Sequence, residues 1–510
     1  MIETLNSLAL GFSVALQPTV LFYAVLGCVV GTLVGVLPGL GPLAGISLLL
    51  PLTFGLNPTT AIVLLSGIYY GAMYGGSTTS ILMRIPGEAA SVITCVDGHA
   101  MTLKGRGGAA LAIAALGSFV AGTLSLVALT LLAPPLAAIA LKFGPPEYTA
   151  LMLLGFIVLS YMSSGTMTKT LAMAALGLIL GTVGIDVMSG FHRFTYGVTD
   201  LADGLGIVPV AVGLFGLSEI LLIAGGTAQP QVYKPKLSEL VPSREEIRLS
   251  IGPCLRGSVL GFLIGIVPGS AHIISSFVSY GVERRLSKHP ERFGHGAVEG
   301  VAGPESANNA AASGAFVPML ALGLPSGPVP AVLLAAIMIH GVAPGPLLME
   351  QHPQLVWGFI ASMYIGNVVL LILNLPLVGL FVNLLRIPYC YLYPTIVVFC
   401  VLGVYAVNNS AVDVWIMLAT GAAGYAMRKL GFDMAPVVLG LILSPMLEMS
   451  LGQSLAMSGG SYAIFMQRPI ALAMLIGVLA LLALSLRDAL ATRRGRADWR
   501  TGAGLGRVEE

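Results

Sequence analysis

The chain has 510 residues, of which 56% are hydrophobic and only 9% charged, with a net charge of +2 and a mean hydropathy of +0.91. Soluble domains carry about 25% charged residues, so this composition excludes a soluble globular protein. The small net charge gives no reason to expect a nucleic-acid partner.

The N-terminal MIETLNSLALGFSVAL has an acidic residue and no basic one before its apolar part, so it is a poor secretory signal and reads as an amphipathic lead-in. Residues 18–54 read as a hairpin bent at Pro38-Gly39, followed by the uncharged turn GLNP. A long apolar stretch, 58–99, is expected to be interrupted at GGSTTS (75–80) and IPGE (85–88), and a basic loop with Lys104 and Arg106 follows. Further spans are expected at 109–141, 147–162, 169–186 and 205–224, before a polar linker with Lys234, Lys236, Arg244 and Arg248.

The second half restarts with a hairpin bent at Pro268-Gly269 and runs into ERRLSKHPERFGHG, the most basic loop of the chain. Another interrupted stretch, 297–341, contains GPESANNAAASG and GLPSGP, and the loop after it, APGPLLMEQHPQ, has no Lys or Arg. Spans at 355–384, 390–406, 411–427, 434–450 and 469–487 precede the tail RDALATRRGR. The expected fold is an all-α polytopic membrane protein with about 11–12 transmembrane helices of ~20 residues. Its divisions are a first repeat (1–225), a cytoplasmic linker (226–250), a second repeat (251–450), an extra helix (451–490) and a cytoplasmic tail (491–510). The five cysteines, Cys28, Cys95, Cys254, Cys390 and Cys400, fall in or beside apolar segments with no CxxC pair, which leaves no disulfide framework or zinc site to argue from.

The halves share one motif. Gly27, Gly31, Gly35, Pro38 and Gly39 recur at the same offsets as Gly257, Gly261, Gly265, Pro268 and Gly269. Each copy is a glycine ladder that lets helices approach closely, ending in a Pro-Gly break. Broken helices in corresponding positions of two halves point to a transporter binding site. The loop after the hairpin is uncharged in the first half and basic in the second, whereas the loop after the interrupted stretch is basic in the first and not in the second. Positive loops stay cytoplasmic, so the halves are expected to be inverted repeats.

Polar groups inside such segments carry the chemistry. The candidates are Pro38, Gly39 and Gly41 with Ser77, Thr78, Thr79, Ser80, Pro86, Gly87 and Glu88 in the first half. In the second half they are Pro268, Gly269 and Ser270 with Glu305, Asn308, Asn309, Pro325 and Ser326. Backbone that leaves the helix at membrane depth is tolerated only in protein or beside a water-filled cavity. Its freed carbonyls, with Ser, Thr and Asn oxygens, suit a Na⁺ ion, and Na⁺ is expected near Glu305, Asn308 and Asn309. Exposed helix N-termini suit a carboxylate. Arg84 is the basic residue close to the IPGE break. Glu88 and Asp97 also fit rim positions near Lys104, and His272, Asp413, Asp433 and Glu448 read as caps or interfacial residues. An enzyme is not expected: Ser77 lies in a tract of hydroxyls without a matching histidine, pairing His99 or His340 with it is arbitrary, and no Walker-type loop or cofactor motif is present.

The segments GTLVGVLPGLGPLAGISLLLPLTFGL, GIYYGAMYGGSTTSILMRIPGEAASVITCVDGHAM and GPESANNAAASGAFVPMLALGLP together resemble the large membrane subunit of the tripartite tricarboxylate transporter family. The resemblance implies a bacterial inner-membrane permease that works with a small transmembrane subunit and a periplasmic solute-binding protein. It also implies uptake of organic carboxylates such as citrate, driven by an ion gradient, usually Na⁺. The family's signatures fall on Pro38, Gly39, Gly41 and Pro42, on Tyr74 to Ser80 with Pro86, Gly87 and Glu88, and on Pro304, Glu305, Ala307, Asn308 and Asn309. One departure is the run Pro325-Ser326-Gly327-Pro328-Val329-Pro330, where the family commonly has a Gly-Ser pair after the proline and further hydroxyl residues.

Overall fold

The computed structural model describes residues 2–37, 41–162, 167–186, 190–223, 237–267, 271–384 and 389–500. Helix α1 (Ile2–Ala15) precedes a first half made of α2 (Pro18–Val36), α3 (Gly41–Leu49), α4 (Pro58–Met83), α5 (Thr94–Leu103), α6 (Gly107–Ala140), α7 (Pro145–Met162) and α8 (Met167–Gly181). An antiparallel ribbon of β1 (Gly184–Ile185) and β2 (His192–Arg193), with Gly184 opposite Arg193, leads to α9 (Ile207–Ala211) and α10 (Ser218–Ile223), joined by a π-helical turn. The second half is α11 (Arg244–Ile266), α12 (Ala271–Leu286), α13 (Glu299–Gly314), α14 (Phe316–Leu322), α15 (Pro328–Ile339), α16 (Leu348–Gln351), α17 (Pro353–Asn374), α18 (Val378–Leu384), α19 (Tyr389–Asn408), α20 (Ala411–Lys429) and α21 (Ala435–Met457). Helices α22 (Ile464–Gln467) and α23 (Pro469–Arg500) follow. Among the described residues, α2, α6, α11, α17 and α21 are long and apolar enough to cross a bilayer, and several shorter apolar helices accompany them. The chain is an all-α, multi-pass membrane protein.

The glycine ladders explain the close packing of two helix pairs. A Cβ added to Gly27, Gly31 or Gly35 of α2 would lie 2.4, 2.4 or 2.3 Å from the carbonyl oxygens of Leu64, Ile68 and Ala72 on α4. One added to Gly257, Gly261 or Gly265 of α11 would lie 2.4, 2.2 or 2.5 Å from those of Gly303, Ala307 and Ala311 on α13. Only hydrogen fits at these six positions, so the two pairs of helices lie backbone against backbone. The ends also correspond. Helix α4 stops at Arg84 with φ 59° and α14 at Gly323 with φ 69°, and each left-handed residue is followed two positions later by a proline, Pro86 or Pro325. Helices α4 and α13 cross each other antiparallel: Tyr70 bonds Ser313, and Ser77 bonds Glu305.

Two loop clusters sit at opposite ends of the run from α4 to α5. At one end Asp97, fully buried, accepts the backbone N–H groups of Gly294, Gly296 and Ala297 at 2.9, 2.7 and 2.8 Å, and the Tyr280 hydroxyl at 2.9 Å. Nearby, Lys104 Nζ donates to the His295 carbonyl at 2.6 Å, and Arg106 pairs with Glu246. The basic loops of the two halves therefore meet. At the other end the uncharged segments meet, with His340 Nε2 3.4 Å from Thr53 Oγ1 and its ring against Phe54.

One expectation is corrected. Residues 75–80 do not interrupt the first long stretch but lie inside α4, and Glu305, Asn308 and Asn309 lie inside α13. The hydroxyls of Thr79 and Ser80 bond back to the Gly76 carbonyl at 3.2 and 2.9 Å, an internal satisfaction that lets a polar tract remain helical. Asp97 lies at the cluster of basic loops, buried, where it ties α5 to the loop after α12.

Candidate functional site

Pro38, Gly39, Pro268, Gly269 and Ser270 lie outside the described residues, but the helices that follow them do not. Gly41 (φ 60°) and Pro42 open α3, His272 stands in the first turn of α12, and Pro328 opens α15. All three helix starts line one cavity of about 340 Å³, together with Pro86, Gly87 and Glu88 from the break between α4 and α5. Segments flanking all four breaks thus meet around one space, within the range of small-ligand pockets, about 300–1,000 Å³. Helix starts present unpaired N–H groups and partial positive charge, which favour an anion. Gly87 holds this geometry: a Cβ there would lie 2.4 Å from Gly76 Cα and 2.5 Å from the Gly35 carbonyl oxygen. Pro325 and Ser326 are buried at the second-half break, where Ser326 donates to the Ala315 carbonyl at 3.2 Å.

Behind the cavity wall lies a buried polar cluster that crosses between the halves. Asn308 Nδ2 donates to Glu88 Oε1 at 2.7 Å. Glu305 accepts from Ser77 Oγ at one oxygen and from Thr94 Oγ1, at 2.5 Å, at the other. Asn309 Nδ2 donates to Ser118 Oγ of α6 at 2.7 Å and to the Glu305 carbonyl at 3.1 Å. Ser91 closes the break: its hydroxyl donates to the Glu88 carbonyl at 2.9 Å, lies 3.3 Å from the Glu88 N–H, and receives the Ser80 hydroxyl at 2.8 Å. Glu305, Asn308 and Asn309 are each 1% exposed and Glu88 is 8% exposed. Thr78 is buried beside Ser118 and Tyr74.

Three residues expected to form one site are therefore directed to different partners: Glu305 to α4 and α5, Asn308 to the break, Asn309 to α6. Among the described residues no Lys, Arg or His bonds Glu88 or Glu305. Buried carboxylates with neutral partners are costly unless a cation or a proton accompanies them. The carbonyl oxygens of Asn308 and Asn309 are buried without a hydrogen-bond partner, and the Asn308 amide lies against the Glu88 carboxylate. This donor set fits Na⁺ better than a softer metal.

Sequence reasoning missed Thr94, Ser91 and Ser118, whose hydroxyls have no signature of their own. The Glu88-x-x-Ser91 spacing, which the structure uses as a reciprocal cap, was a readable signal. Arg84 is exposed rather than turned into the break. His99 Nδ1 lies 3.2 Å from the Ile81 carbonyl, and neither it nor His340 reaches Ser77. Asp413 accepts from Asn408 at 2.8 Å, Asp433 accepts the Ala435 N–H at 3.0 Å, and Glu448 pairs with Arg193 at 2.5 Å. Cys28, Cys95, Cys254 and Cys400 are buried free thiols.

Comparison with known proteins agrees with this architecture. Residues 21–439 match the family described as the tripartite tricarboxylate transporter TctA family. The chain is 47% identical over 496 residues to an Agrobacterium vitis protein described as an uncharacterized 52.8 kDa protein in the TAR-I ttuC' 3' region, covering 97% of this chain and 99% of that one. It is also 47% identical over 234 residues to a second A. vitis protein, described as an uncharacterized protein in the TAR-II ttuC' 3' region, covering 46% of this chain and 97% of that one. No solved structure matches the chain. A family match across most of the sequence, with a relative aligned along nearly its whole length, settles the assignment: the chain belongs to the tripartite tricarboxylate transporter TctA family.

Proposed function

We propose that this chain is the permease subunit of a binding-protein-dependent secondary transporter that imports tricarboxylates or related organic carboxylates across a bacterial inner membrane. The observation that carries the reading is the convergence of the segments at the four helix breaks on one cavity, with buried carboxylates and free amide oxygens behind its wall. Substrate occupies that cavity between two inverted halves. The helix starts face its carboxylates, and Na⁺, or H⁺ in its place, is held by the oxygens around Glu88, Glu305, Asn308 and Asn309 as cargo rather than cofactor. The cluster of basic loops around Lys104, Arg106 and His295 faces the cytoplasm. Alternating access is then movement of one bundle against the other around a fixed site. A small transmembrane subunit and a periplasmic solute-binding protein complete the system, and the binding protein makes much of the choice among carboxylates.

Extraction from native membranes in a mild detergent, followed by mass spectrometry, tests this reading. A small partner of a few helices, with a periplasmic binding protein retained when citrate is added, supports it. A chain that emerges alone yet carries citrate into vesicles under a Na⁺ gradient would instead make it a stand-alone exchanger or exporter.

A further inference from the structure

The cavity at the breaks contains a charge that the family's motifs do not include. Arg428, in the last turn of α20, and Glu219, in α10, both line it and are paired with each other. Their side chains remain 28% and 16% exposed. Arg428 donates through Nη1 to Glu219, its hydrogen bond among the described residues, and a guanidinium has five N–H donors in a planar fork. Most of that fork is therefore available.

An anionic substrate entering this cavity meets two carboxyl groups, Glu88, bonded to Asn308, and Glu219, paired with Arg428. Helix starts favour an anion there. Arg428 is the permanent positive charge among the described lining residues, and His272 is the other group there able to carry one. We propose that Arg428 is a substrate-binding residue that takes a carboxylate of the substrate, and that Glu219 occupies it when no substrate is bound. This rests on the reading of the cavity as a carboxylate site.

Exchange of one carboxylate for another on the same guanidinium keeps the fork neutralised. The exchange costs the release of Glu219, so the resident carboxylate competes with substrate, and a planar fork favours a planar, bidentate acceptor. Because α10 and α20 each supply one member of the pair, substrate that displaces Glu219 also loosens a contact between two helices. Occupancy of the cavity is thereby tied to the position of α20.

The test uses the full chain in lipid nanodiscs at fixed Na⁺, with thermal unfolding followed during titration with citrate, succinate or malonate. Wild type is expected to be stabilised by at least one of them. Arg428→Gln should weaken that apparent affinity by about tenfold to a hundredfold, the range for losing a charge-assisted hydrogen bond. Arg428→Lys should fall between the two, and Glu219→Gln should bind several-fold more tightly than wild type. If Arg428→Gln does not fold, the order of Glu219→Gln, wild type and Arg428→Lys decides the matter. Equal affinity in wild type and the Arg428 variants, or weaker binding by Glu219→Gln, would overturn the role of Arg428 while leaving the cavity reading in place. Absence of stabilisation of wild type by all three carboxylates would overturn the cavity reading and this proposal with it.

Discussion

Asn308 of α13 hands its amide hydrogen to Glu88 across 2.7 Å, so the polar run of the second half is bonded directly to the helix break of the first. The partners are 220 residues apart in sequence and both are buried. Any movement of one half against the other must carry this bond with it or break it. Its amide oxygen has no partner, which leaves one strong acceptor beside a carboxylate at the cavity.

Asn308→Ala is expected to reduce carboxylate uptake at least about tenfold while the chain still reaches the membrane, since an unpaired buried group costs only about 1–3 kcal/mol. Asn308→Asp should be more severe, because it sets a second carboxylate against Glu88. Uptake into vesicles, normalised to the amount of chain in the membrane, measures both. Wild-type uptake by Asn308→Asp would remove Asn308 and Glu88 from the site.

Gly261→Ala is expected to destabilise the protein by about 1–3 kcal/mol, the usual cost of forcing a methyl into a filled space, because its Cβ would lie 2.2 Å from the Ala307 carbonyl oxygen. Gly281→Ala in α12 is the control: nothing lies within 4 Å of that Cβ. It should be neutral or slightly stabilising, as alanine favours a helix over glycine by about 0.5–1 kcal/mol. Thermal unfolding in detergent separates them, and equal behaviour would contradict the backbone-to-backbone contact of α11 and α13.

Asp97→Ala should free the loop that follows α12. Three backbone N–H donors and a tyrosine hydroxyl would lose one carboxylate, at a cost of about 2–4 kcal/mol for charge-assisted bonds that are not independent. Hydrogen exchange at Gly294, Gly296 and Ala297 should accelerate, and trypsin should cut at Arg292 sooner than in wild type. Unchanged protection there would show that the loop is held by other contacts.

The pairing of loops predicts the topology. With native cysteines replaced, single cysteines at Lys104 and Lys288 should react with an impermeant reagent from one side of the membrane, and one at the exposed Leu347 from the other. Labelling of 104 and 288 from opposite sides would contradict the inverted arrangement, which rests on the positive-inside rule.

How much of this was readable in the chain depends on the kind of signal. The ladders Gly27-Gly31-Gly35 and Gly257-Gly261-Gly265 were legible because close backbone approach leaves no alternative to glycine, and the Pro86 and Pro325 breaks because proline removes a donor. The spans α6, α17 and α21 follow from apolar length alone. GGSTTS misled because small hydroxyl residues are written the same way whether they interrupt a helix or bond back inside one. The destinations of Glu305, Asn308 and Asn309 were not legible: their i, i+3, i+4 spacing puts them on one side of α13, but their partners lie in other elements. Arg428 and Glu219 were hidden for the same reason: nothing in the order of residues brings α10 and α20 to the cavity at the breaks. The ribbon of β1 and β2 escaped because strands of two residues have no periodicity to read.

The most direct test of the central claim is carboxylate uptake by the complete transporter in vesicles under a Na⁺ gradient, wild type against Glu305→Gln, with Asn309→Ala beside it. Glu305 is 1% exposed and accepts from Ser77 and Thr94, so glutamine fills the same space while removing the ionisable group and turning one acceptor into a donor. The account predicts that both variants reach the membrane in normal amount and that uptake falls roughly a hundredfold or more, as expected for an intramembrane ionisable residue with a functional role. Uptake at the wild-type rate in both variants would contradict it.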